Sequence, residues 1–229
     1  MKEDLKRLTL NEKLDILYNI ETQKGEDEKQ YEVLCKLAYD ENKEIRWLAA
    51  ENLVLFPSEK TENILIDLLN DTNEVVRVNA CDSLCIAKSD LAIEKLKNKA
   101  VDDTELVRSY AVLSLADIAD NNEGKKEAIG DFLKKAYPNE KSEHVLISYF
   151  YAFYLFGNEE YYDKLLLMLN NNFYQIRCGV LNLLRELISP ETAEKTKTAV
   201  NNLLKTEKTI AVKSSADNLL TYISSHFAE

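Results

Sequence analysis

The most regular reactive side chains in this sequence come in threes. Asp71, Glu74 and Arg77 recur as Asp102, Glu105 and Arg108, with residues of each set three apart. Carboxylates one helical turn apart beside a guanidinium could serve acid/base chemistry or hold an anion. Cys81 and Cys85 also lie one turn apart, and His144 and His226 are the two histidines that could complete a metal site with them. No Cys-x-x-Cys, Gly-rich phosphate loop, Gly-x-Ser-x-Gly or His-Glu-x-x-His supports either chemistry. His144 stands near a predicted helix start and reads as a solvated or capping residue. The cysteines read as small buried hydrophobes. Nothing nominates a nucleophile, an acid/base pair, a metal site or a cofactor, and a non-enzyme is expected.

The two triads sit 31 residues apart inside matching strings, Asp71-Thr-Asn-Glu-Val-Val-Arg-Val-Asn-Ala80 and Asp102-Asp-Thr-Glu-Leu-Val-Arg-Ser-Tyr-Ala111, with Leu84 and Leu115 four residues beyond. A fixed period of that length marks a solenoid. Sliding the frame places further copies at Arg46, Leu146, Arg177 and Lys213, so the key positions 46, 77, 108, 146, 177 and 213 are spaced by 31, 31, 38, 31 and 36. Each copy opens a helix. Asp71 with Glu74, and Asp102 with Glu105, are expected to form capping boxes. Val76, Ala80 and Leu84 then make one apolar stripe, with alanine at the point of closest approach. Arg46, Arg77, Arg108 and Arg177 form a ladder whose fixed frame beside Asp or Asn points to salt bridges between stacked repeats.

A second apolar run precedes each string, so the unit is helix, tight turn, helix. The expected elements are an N-terminal helix near 3–21, ended by Lys24-Gly25, and pairs at 28–38 with 42–55, 60–70 with 73–87, 90–100 with 104–119, 124–136 with 141–156, 159–169 with 172–187 and 191–205 with 208–226. Pro57, Pro138, Pro190 and Gly157 fall at boundaries, while Gly130 and Gly179 fall inside helices. The expected architecture is all-α, a right-handed α-α superhelix in one continuous domain over 1–229. In it 1–25 form a capping helix and 26–229 about six helix pairs.

Hydrophobic residues make up 45% of the chain, which excludes disorder over most of it. The charged start and the lack of an 18-residue apolar stretch predict a cytoplasmic protein without a membrane span. Its 29 basic and 40 acidic side chains give a net charge of −11, which serves solubility and favours basic partners. Nucleic acid is excluded as a ligand on that balance, because its affinity comes from Lys and Arg displacing counterions.

The string Asp-x-x-Glu-x-Val-Arg-x-x-Ala-x-x-x-Leu, carried by 71–84 and 102–115 and nearly by 40–53, resembles the short bacterial HEAT-like repeat also found in phycobilin lyase subunits. The resemblance implies a right-handed stack whose second helices line the concave side. Deoxyhypusine hydroxylases share the repeat but carry iron-binding His-Glu dipeptides, which are absent here. HEAT-like DNA glycosylases need a basic concave face, and this chain is acidic.

On that expectation the positions one, five and eight residues after each ladder position face a concave surface. They carry Trp47, Glu51 and Val54, then Val78, Asp82 and Cys85, then Ser109, Leu113 and Ala116. Ile147, Tyr151 and Tyr154 follow, then Cys178, Asn182 and Arg185. Tyr151 and Tyr154 belong to the aromatic run Tyr149–Phe156, in a region with eleven of the twenty aromatics. Tyr149, Phe153 and Phe156 are expected in the core. Trp47, Glu51, Asp82, Tyr151 and Tyr154 are the expected contacts of a concave groove for a protein or peptide, basic or mixed in charge, bound by a monomeric scaffold. Two alternatives are an accessory subunit of an enzyme complex, as in bilin lyases, and an immunity-type protein that neutralises a basic toxin.

Overall fold

A computed structural model describes residues 5, 7–20, 28–101 and 104–227. The described residues form thirteen α-helices and two 3-10 turns, and no strand is found among them. They divide into two compact units, residues 1–132 and 133–229, described separately below.

The first unit opens with α1 (Leu10–Tyr18). Three helix pairs follow: α2 (Glu28–Leu37) with α3 (Lys43–Leu53), α4 (Glu59–Leu68) with α5 (Glu74–Ser83), and α6 (Asp90–Lys99) with α7 (Glu105–Asn121). Helix α8 (Glu123–Ala136) crosses the division. The second unit contains α9 (Glu143–Leu155), then α10 (Glu160–Met168) with α11 (Tyr174–Leu187), and α12 (Pro190–Leu204) with α13 (Ile210–His226). From Glu28 onward these boundaries lie within a few residues of those expected from periodicity. The helix expected near 3–21 is instead capped at Thr9 and ends at Tyr18 with Asn19 as its C-cap, before Lys24-Gly25, which lie outside the described residues.

The apolar stripes set the packing. Ile45, Ala49 and Leu53 in α3, Val76, Ala80 and Leu84 on α5 and its 3-10 extension, and Val107, Ala111 and Leu115 in α7 are all fully buried. The alanines let α3, α5 and α7 lie close side by side. Helices α2, α4 and α6 touch one another far less. In this unit the second helices are therefore crowded and the first helices splayed, which puts α3, α5 and α7 on the inner side of the curve.

Helix starts differ from the expected capping boxes. The N-caps are Asn42 and Asn73, whose side-chain oxygens accept from the Glu44 amide at 2.7 Å and from the Val75 and Val76 amides at 3.1 and 3.4 Å. Asp40 and Asp71 stand two residues earlier and accept from the amides of Asn42 and Asn73 at 2.9 and 2.8 Å. Glu74 is already the first helical residue, too early to close a box. At α7 the cap position is Thr104, and Asp102 lies outside the described residues. Boxes do form at Thr9 with Glu12 and at Ser189 with Thr192.

The second oxygen of each loop acid explains the ladder. Arg46 makes a two-pronged contact with Asp71 at 2.6 and 2.9 Å and also donates to its own loop carbonyls, Asp40 O and Glu41 O, at 2.9 and 3.0 Å. Arg77 binds Asp71 O in the same way at 3.0 Å. Arg177 reaches Glu207 at 2.7 Å and Asn171 O at 2.6 Å. At the start of the array Lys13 of α1 takes the arginine's place against Asp40 at 2.6 Å. Arg46 and Arg177 thus tie their own turns to the turn of the next pair, and Arg77 fastens its own turn.

Two glycines have structural reasons. Gly157 ends α9 with a φ of +92°, which L side chains rarely adopt. At Gly179, inside α11, an added Cβ would lie 3.0 Å from Ile147 Cδ1, so the missing side chain lets α9 and α11 approach.

Candidate functional site

Within residues 1–132 the inner face is built by three parallel steps. Glu51 on α3 and Asp82 on α5 occupy the same repeat position and are both exposed. Neither has an ion pair or hydrogen bond among the described residues. Asp117 on α7 is half-buried and lies one turn further along its helix than the equivalent position, Leu113. Trp47 is half-buried beside this row.

The groups on the face sense a common negative field. Asp82 is reached by water at its edge yet crowded by surrounding protein. That desolvation, followed by the charge of Glu51, raises its carboxyl above the usual range. Burial pushes the Cys85 thiol up to about 11, helped by Asp117 and Asp82. Burial and then Asp82 likewise raise the Tyr110 phenol. Among the described residues no ion pair offsets Glu51 and Asp82, and such a surface attracts an ammonium or guanidinium group.

The structural acids contrast with this face. Burial works against the Asp71 carboxylate, but Arg46 and the Asn73 amide outweigh it and hold the group below its ordinary range. Arg177 holds Glu207 down to about 2 against a smaller burial effect, with the Thr209 and Lys208 amides assisting. Those acids are satisfied, whereas Glu51 and Asp82 are not.

Of the five expected contacts, three share this face and two do not. Trp47, Glu51 and Asp82 belong to residues 1–132. Tyr151 and Tyr154 belong to residues 133–229, where Tyr151 is buried at 9% exposure. Tyr154 is half-buried with its ring 5.0 Å from that of Tyr162. Helix α9 is covered without a break from Ile147 to Phe153, so it has no solvent face in that stretch on which Tyr151 could project. Tyr151 is therefore a core residue, contrary to the sequence expectation. Tyr137 packs on Tyr149 and Phe153 at 5.5 and 5.4 Å, and Phe153 on Tyr161 at 4.9 Å. Tyr149 and Phe153 are core as expected, while Phe156 is half-buried.

Other flanking positions vary from copy to copy. Ser109, Ala116 and Ile147 are buried, while the positions one and eight residues after the ladder in the other copies are half-buried or exposed. The fifth position is the crest, as Glu51, Asp82, Asn182 and Asn218 show by their exposure. Asp117 and Tyr110 escaped the repeat frame. The signal that could have found Asp117 is its place one turn after Leu113 on the same face of α7.

The four cysteines are free thiols. No three His, Cys, Asp or Glu side chains converge as metal ligands among the described residues. His144 is the second residue of α9; its Nδ1 is covered and finds no hydrogen-bond partner there, so it is neither solvated at that atom nor a cap. No helix among the described residues is long and apolar enough to cross a membrane.

Stacked helix pairs with an alanine-centred second helix and an Arg–acid tie between turns define an α-solenoid of the HEAT/armadillo kind. The profile of HEAT repeats matches residues 31–116, so that stretch of the chain carries HEAT repeats. Among solved structures it is similar to the complex of CpcE and CpcF of phycocyanin lyase from Nostoc sp., with 18% identity and a TM-score of 0.66 over 98% of this chain and 92% of that one. It is also similar to a homology model of the full-length AP-3 complex, at 13% identity and a TM-score of 0.54, covering 96% of this chain and 50% of that one. No curated protein sequence matches it.

Proposed function

We propose that this protein is a non-catalytic HEAT-repeat subunit that binds another protein through the acidic inner face of residues 1–132. The observation that carries the reading is the pair Glu51 and Asp82, exposed on neighbouring helices, without a cation partner, and close enough for one to raise the other's pKa. A partner segment bearing Lys or Arg beside an apolar residue would pair with the carboxylates and rest on Trp47. Tyr and Trp at the edge of such a face commonly supply the binding energy that charge pairs alone do not.

The likeness to the CpcE–CpcF complex supports the accessory-subunit form of this reading over a free-standing scaffold. That neighbour works as two chains of a phycocyanin lyase, and this chain spans nearly all of the matched one. The function is therefore to hold a partner protein in an enzyme complex.

The test is capture of partners on immobilised protein, wild type against Glu51→Lys with Asp82→Lys. Capture that is lost in the reversed variant, weakens with salt and leaves the fold intact supports the reading. Equal capture by the folded variant removes the acidic face from the assignment. Visible absorbance that copurifies with the captured complex would extend the likeness from fold to chromophore chemistry.

A further inference from the structure

Residues 133–229 carry their most exposed apolar side chains at one kind of place. Ile210 is 84% exposed, Leu167 70%, Phe173 63% and Tyr174 45%. Leu167 stands one residue before the end of α10, Phe173 and Tyr174 are the cap and first residue of α11, and Ile210 is the first residue of α13. The end of a first helix and the start of a second meet at the turn edge of each pair. Helices α11 and α13 pack side by side, and the Arg177–Glu207 pair fastens them close to Tyr174 and Ile210. A groove of about 830 Å³ lies beside Leu167, lined among others by Leu166, Asn171, Leu203 and Thr209, the last next in sequence to Ile210. The uncovered apolar area of the four side chains is on the order of 500 Å², at the upper end of what a monomer's largest patch shows.

We propose that a second copy of this chain covers the edge, in a dimer with two-fold symmetry. In such a dimer the same patch meets itself, so any unpaired charge on it meets its like. Residues 133–229 suit that demand, since they hold 11 basic and 11 acidic side chains. Of the charges lining the groove, Arg177 pairs with Glu207 and Asp163 with Lys195 at 3.0 Å, while Lys208 is exposed without an ion pair among the described residues. Residues 1–132 hold 18 basic and 29 acidic side chains and would repel their own copy. A dimer interface commonly buries about 800 Å² per partner, and an apolar centre of the size found here within a polar rim is of that order. Sequence alone predicts a monomer.

The full-length chain tests this by sedimentation equilibrium over rising concentration. The expected mass moves from 26.3 kDa towards twice that value. Phe173→Ser with Ile210→Ser, both at exposed positions, is expected to keep the thermal transition and weaken self-association by at least about tenfold. Leu167→Lys, from a different helix, is expected to do the same. A single-chain mass at every concentration up to hundreds of micromolar overturns the proposal. So does a dimer that survives in the folded variants, because the interface would then lie elsewhere. An edge that captures a different protein and never self-associates also overturns it. Glu51→Lys with Asp82→Lys leaves the dimer unchanged, which separates this inference from the partner-binding role of the acidic face.

Discussion

Residues 1–132 and 133–229 are built on the same helix-pair frame but spend their side chains differently. The first unit keeps the repeat's Arg, acid and Ala, and it carries the entire net charge of −11. The second is electrically neutral and holds 13 of the 20 aromatics, including the run that replaces Arg and Ala at α9. Where Ala49, Ala80 and Ala111 let helices touch through small side chains, the equivalent Tyr149 is fully buried and forces its surroundings to accommodate a ring. Departure from a repeat therefore need not mark a binding surface. Here the largest departure fills the interior, and the acids on the most regular repeats make the exposed face.

The largest effect that could break this comparison concerns α9. Tyr149→Ala should cost about 3–5 kcal/mol, as for other large aromatic side chains removed from a core. Tyr151→Ala should cost at least about 2 kcal/mol, whereas a surface tyrosine would change stability by less than about 0.5 kcal/mol. Urea denaturation followed by circular dichroism measures both. A neutral Tyr151→Ala would return that residue to the surface and reopen α9 as a binding element.

Next comes the tie between repeats. Arg177→Ala strands Glu207, whose side chain is 4% exposed, and should cost about 2–3 kcal/mol. The same pair sets an acid dependence. The Glu207 carboxyl is held down to about 2 in the folded state, below its ordinary 4.5. Its contribution is complete above pH 4.5 and is lost as pH falls towards 2. Glu207→Gln should be less stable than the parent at pH 7, with the difference shrinking across that window. A gap that stays constant from pH 6 to pH 3 would show that packing, not charge, holds the turn.

Most of this scaffold is legible in the sequence because the repeat states it several times. Helix boundaries, the stripes through Ala49, Ala80 and Ala111, and the Arg46–Asp71 tie all follow from a 31-residue frame. Three features are hidden for identifiable reasons. Asp71 and Asn73 are both good caps, and only the loop path shows that Asn73 caps the helix while Asp71 serves the neighbouring Arg46. Tyr151 sits on the face that is exposed in an average repeat. Its burial depends on α9 being covered all round, and helical spacing alone does not report neighbours. Asp117 was missed because a one-turn offset on the longest second helix of the first unit takes it out of the repeated position.

The smallest effect sharpens the comparison most, because its sign is unusual. Removing a charged surface acid normally changes stability little or lowers it. Asp82 lies where protein crowds it and Glu51 repels it, so its carboxyl titrates above the ordinary range. For an acid with a raised folded-state pKa, the charged form opposes folding, and that penalty is present above the folded pKa and disappears as pH falls below the ordinary carboxylate range. Asp82→Asn should therefore stabilise the protein by a few tenths of a kcal/mol at pH 7 and by nothing near pH 3. Thermal melts at the two pH values measure it. A loss of stability at pH 7 would mean that Asp82 has a favourable partner within the chain, and the inner face would then be a structural surface like the Asp71 turn instead of a surface kept acidic for another protein.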